Sequence, residues 1–147
     1  MEAIMVSLSK ARLTRALVYA AAWSFGTAII HSVDDVIHDD LGGGGIEMFA
    51  LTNAAVGALY IFSMMWSWAG KTYGHIVTGL VSLAIFYPVF LSHALALGGV
   101  RGLLELGQAA PAIWTPIFVG ASLLGGVTSA VAVILAVYLT VWGRQSA

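Results

Sequence analysis

Residues 31–47, HSVDDVIHDDLGGGGIE, gather most of the groups in this chain that can do chemistry. Two of the chain's four histidines and five of its seven acids fall here. His31, Asp35 and His38 are spaced i, i+4, i+7. They share one face if the preceding helix continues a turn past Val33. Two imidazoles and a carboxylate on one face can bind a first-row divalent metal such as zinc, copper or iron. Asp34 stands beside them. Glu47, at the start of the next apolar run, is a further candidate ligand.

His93 joins this set by topology. It lies about one turn from the end of a later apolar run, at a depth matching His31. The expected metal ligands are therefore His31, Asp34, Asp35, His38, Glu47 and His93. Two histidines facing each other at one depth can also hold haem. No matching pair stands at the opposite depth, so haem ranks below a divalent metal. Against both stands the plainer reading of a solvated outer loop, which Asp39 and Asp40 fit well because aspartate pairs mark turns. His31 and His93 fit it poorly, because they lie inside apolar runs where polar side chains are expensive.

The elements that position these residues are apolar. The 147-residue chain is 60% hydrophobic and 9% charged, where soluble domains carry about a quarter charged residues. So few charges cannot cover a water-facing surface, and long apolar runs point to a lipid-facing one. The fold class expected is an all-α integral membrane protein, a bundle of four transmembrane helices near 13–33, 46–69, 75–97 and 112–142, forming one domain. Residues 1–12 read as an interfacial helix or a loose lead-in. The run at 16–33 is too long for a signal-peptide core, so it is expected to stay as a membrane helix. Residues 70–74 read as a tight turn, 34–45 as an acidic outer loop and 98–111 as a loop.

Lys10, Arg12, Arg15, Lys71 and Arg144 fall on one side of such a bundle, and Arg101 on the other. The positive-inside rule then places both termini in the cytoplasm, and the protein in a cell membrane, the plasma membrane first. The acids other than Glu2 map to the outer side.

Within the spans, Asn53, Gly57, Tyr60, Met64 and Ser67 share a face of the second helix. Asn53 is expected to face the bundle and bond across helices. Ala121 with Gly125 and Gly126 with Ala130 give the last helix a close-packing face. Pro88 is expected to kink the third helix. His75, Thr78 and Ser82 outline a polar stripe along that helix. An interfacial histidine and a serine bonded to its own backbone explain the stripe more simply than an ion path does.

No serine–histidine–aspartate arrangement, P-loop or dinucleotide fingerprint is present. There is no cysteine, which excludes disulfides and thiolate sites. No basic patch suits nucleic acid. The first functional expectation is a small subunit of a larger membrane complex, of respiratory or oxidase/oxygenase type, with a metal site at its outer face. The second is a stand-alone metal-binding membrane enzyme or metal handler. The third is a homo-oligomeric cation transporter or channel. The expected partners are the lipid bilayer with other membrane subunits or further copies of the chain.

Overall fold

The computed structural model describes residues 2–37, 45–92 and 114–145. They form four antiparallel helices: α1 Glu2–Ile37, α2 Gly45–Trp68, α3 Thr72–Phe86 and α4 Trp114–Gln145. A π-helical segment, Tyr87–Ser92, continues α3. Its onset coincides with Pro88, which has no N–H to give the carbonyl one turn back. Three stretches are long and apolar enough to cross a membrane: Lys10–Ile37, Gly45–Trp68 and Ile117–Val141. With 15 residues, α3 is shorter.

The bundle buries hydroxyls among its apolar core side chains and is apolar outside. Ser24, Ser63, Ser67, Thr78, Ser82 and Ser129 are each 0% exposed, whereas Leu51, Leu80, Val127 and Ile134 are more than 60% exposed. Water would favour the reverse arrangement. A lipid surround favours this one, because the inner hydroxyls bond across helices and the outer side chains meet hydrocarbon.

Small residues set how closely the helices approach. The core centres on Leu17 and Ala21 of α1, Tyr60 of α2, Val81 and Ile85 of α3, and Ala132, Ala136 and Leu139 of α4. A Cβ on Gly79 would stand 2.7 Å from the Ala136 Cβ, so α3 and α4 touch almost backbone to backbone there. Gly126 lies under the Phe90 ring. The close-packing face of the last helix is therefore used inside the bundle.

The α2–α3 turn forms where glycine spacing indicates. Gly70 takes a left-handed φ of 72°. Its N–H donates to the Ser67 carbonyl at 2.8 Å, and the Lys71 N–H to the Trp66 carbonyl at 3.0 Å. These two bonds cap α2 in a Schellman motif that needs glycine at its left-handed position. Trp66 stacks edge-on against Tyr73, and Trp68 against Tyr19 of α1. This aromatic cluster, with Lys10, Arg12, Arg15 and Lys71 at the same end, matches the belt expected at a membrane interface.

Both ends of α1 differ from the sequence reading. The lead-in at 1–12 is not separate, because α1 is continuous from Glu2. Beyond Val33, α1 runs to Ile37, which supplies the extra turn that the His31–Asp35 spacing requires.

Candidate functional site

At the end of the bundle away from the α2–α3 turn, the i, i+4 spacing on α1 brings His31 and Asp35 together. Nε2 of His31 lies 3.7 Å from Oδ1 of Asp35. Their side chains are 12% and 21% exposed, so the pair is largely sheltered. The His31 ring stacks on Phe118 of α4, centroids 5.9 Å apart and planes 24° apart. Such a stacked, carboxylate-flanked imidazole is held in orientation and can exchange a proton or donate a lone pair.

One residue on, Ser32 donates a 2.9 Å hydrogen bond to Oδ1 of Asn53 on α2. The Asn53 amide donates to the Phe49 carbonyl at 3.0 Å. The expected cross-helix bond of Asn53 is therefore present, but the residue remains exposed at the bundle's side. Beside it lies a cavity of about 670 Å³ lined by Phe25, Ile29, His31 and Asp35 of α1, Asn53 of α2 and Ile85 of α3. The lining is mostly apolar, with its few polar groups gathered toward the His31 end.

Of the six expected metal ligands, the structure pairs His31 with Asp35 and places Asp34 on the same helix end. Glu47 lies exposed in the first turn of α2. His38 and His93 lie outside the described residues, as do Asp39, Asp40 and the loop at 98–111. Among the described residues, no three of histidine, aspartate or glutamate converge as a metal-binding group. The haem pairing of His31 with His93 likewise falls outside them.

A second polar region lies deeper. The Tyr60 hydroxyl is 2.6 Å from Oγ of Ser82. Ser24 meets Ser129 of α4 at 2.5 Å. Thr78 bonds to both Ser63 and Ser67 at 3.0 Å. Ser82 does donate to its own helix, at the Thr78 carbonyl, as expected. His75, expected as an interfacial side chain, is packed inside the bundle, 1% exposed. The uninterrupted α1 brings the Lys10 ammonium close enough to act on it electrostatically. Neither ring nitrogen of His75 has a hydrogen-bond partner among the described residues.

Sequence reasoning overlooked Ser24, Ser63 and Ser129. Their only sequence signal was position, since Tyr60, Ser63 and Ser67 recur at helical spacing. No protein-family model, curated protein or solved structure matches this chain.

Proposed function

We propose that this chain is a small integral-membrane subunit of a larger membrane complex, of respiratory or oxidase/oxygenase type. In this reading α3 with its π-helical extension makes the fourth crossing, and both termini are cytoplasmic. The observation that carries it is Asn53. A primary amide two turns inside an apolar helix stands exposed beside an open cavity. Against hydrocarbon its unshared hydrogen-bonding capacity is expensive. Against a neighbouring helix it is a contact. The partner completes the wall of the cavity and shares the sheltered His31–Asp35 pair.

The absence of cysteine gives a direct test. A Val56→Cys variant, labelled with a maleimide photocrosslinker in native membranes, should couple to another polypeptide. Ile134→Cys, on the exposed face of α4, should couple only to lipid. Equal protein coupling, or none, at both positions overturns the reading.

Metal binding is the second reading, favoured by the His31–Asp35 approach alone. Zinc, copper or iron held by that pair would need further ligands, for which Asp34, Glu47, His38 and His93 remain the candidates.

A further inference from the structure

One face of α1 carries cations and exposed aromatics in a fixed order of depth. Arg12, Arg15, Tyr19 and Trp23 recur at i, i+3, i+7 and i+11, a single helix face, and all four are exposed. Tyr19 is 59% and Trp23 62% exposed, so this face looks outward from the bundle. From α2, Trp68 closes edge-on against Tyr19, ring centroids 6.3 Å apart. Lys71, also exposed, follows just beyond Trp68. Two helices therefore contribute to one outward-facing patch.

Helix rise puts Arg15 about 30 Å from Asp35, which matches the hydrocarbon thickness of a bilayer. With Asp35 at one boundary, Arg15 stands at the other. Arg12 lies in the headgroup layer beyond it, and Trp23 lies about 12 Å below it. From the surface inward, the face offers guanidinium groups, then the Tyr19–Trp68 pair, then the Trp23 indole. A glycerophospholipid offers phosphate, ester carbonyls and hydrocarbon in the same order.

Positive-inside placement explains why cations stand at this end. It does not explain why two guanidinium groups, one helical turn apart, stand directly above exposed aromatics with no carboxylate to meet them. Arg12, Arg15 and Lys71 make no ion pair among the described residues. Asp34, Asp35 and Glu47 lie at the opposite end of the bundle, and Glu2 stands about 15 Å up the helix from Arg12. Lys10, on the far side of α1, acts on His75 instead. A zwitterionic headgroup would bring its own ammonium against this patch, whereas an anionic one brings only charge of the opposite sign.

We propose that this face binds one anionic phospholipid of the leaflet at the α2–α3 turn. Arg12 and Arg15 fork onto its phosphate. Tyr19 and Trp68 donate to its ester carbonyls, one acyl chain lies along Trp23, and Lys71 adds attraction for the negative headgroup. The site is separate from the cavity and from the His31–Asp35 pair, and it does not depend on the subunit reading.

The test offers the purified full-length chain equimolar phosphatidylglycerol and phosphatidylcholine of identical acyl chains in mixed micelles. Excess lipid is washed away with detergent, and the lipid left on the protein is counted by mass spectrometry. A cation near an anionic headgroup is worth about fivefold, so the wild-type chain should retain the anionic lipid over the zwitterionic one by at least that ratio. Arg12→Gln combined with Arg15→Gln should bring the ratio close to unity. Lys10→Gln removes a cation from the far side of α1 and should leave the ratio unchanged. Equal retention of the two lipids by the wild type overturns the proposal, and so does an undiminished ratio in the double variant. A fall in Lys10→Gln as large as in the double variant also overturns it, because net charge would then suffice. Excess inorganic phosphate should leave the lipid bound; release by phosphate alone would assign the arginines to a free anion and overturn the lipid site. Should the double variant fail to fold, Arg15→Gln alone should lower the ratio, and no change in it counts against the site.

Discussion

Gly74→Leu should leave little folded protein. A side chain at this position has nowhere to go, because its Cβ would stand 2.5 Å from the carbonyl carbon of Trp66 and 2.7 Å from the Trp66 Cβ. These atoms belong to the last turn of α2, which the Gly70 cap pins in place. They cannot swing aside as the end of a flexible side chain can. Forcing atoms into a packed site typically costs about 1–3 kcal/mol and sometimes more. Here the obstacle is backbone, so we expect the upper end or beyond, a large share of the roughly 5–15 kcal/mol that holds a typical domain together. Gly26→Ala is the matched control. Nothing lies within 4 Å of its new Cβ, and alanine is favoured over glycine in a helix by about 0.5–1 kcal/mol. Denaturant midpoints in detergent should fall sharply for Gly74→Leu and hold or rise for Gly26→Ala.

The second large effect is at Tyr60. Its side chain is 0% exposed, packs edge-on against Phe25 of α1 with centroids 5.8 Å apart, and ties α2 to α3 through its hydroxyl bond to Ser82. Tyr60→Ala removes ring and hydroxyl together. Aromatic-to-alanine changes in packed interiors cost about 3–5 kcal/mol. Tyr60→Phe keeps the ring and removes only the bond to Ser82. Hydrogen bonds within membrane bundles average about 0.6 kcal/mol, with larger cases near 1.7, so a loss in that range is expected. The same denaturant titration separates the two: a small shift for phenylalanine and a collapse for alanine. Equal shifts would mean that the hydroxyl, not the ring, holds this part of the bundle.

The long apolar runs, the glycine turn and the His31–Asp35 spacing carried most of what could be known from sequence. The α2 boundaries 46–69 and 45–68 agree within a residue, because Gly45 and Gly70 both take left-handed backbone angles at its ends. What escaped depends on register between helices. Ser24 and Ser129 are 105 residues apart, and serines in apolar helices look alike until packing chooses which of them face inward. The burial of His75, 1% exposed, likewise depends on how neighbouring helices pack over it, which its place beside the turn does not reveal. Asn53 was expected inside the bundle and found its cross-helix partner, but at the edge of a cavity that forms only where α1, α2 and α3 come together. The metal assignment rests on residues on both sides of the described boundary: His31 and Asp35 meet, while His38 and His93 lie beyond it.

The most direct test of the central claim is native mass spectrometry of the protein gently extracted from its own membrane. A subunit covered along the α2 face should appear in an assembly far heavier than its 15.4 kDa chain, containing other polypeptides. A stable species of the single chain alone, or of its simple multiples, would contradict the subunit account.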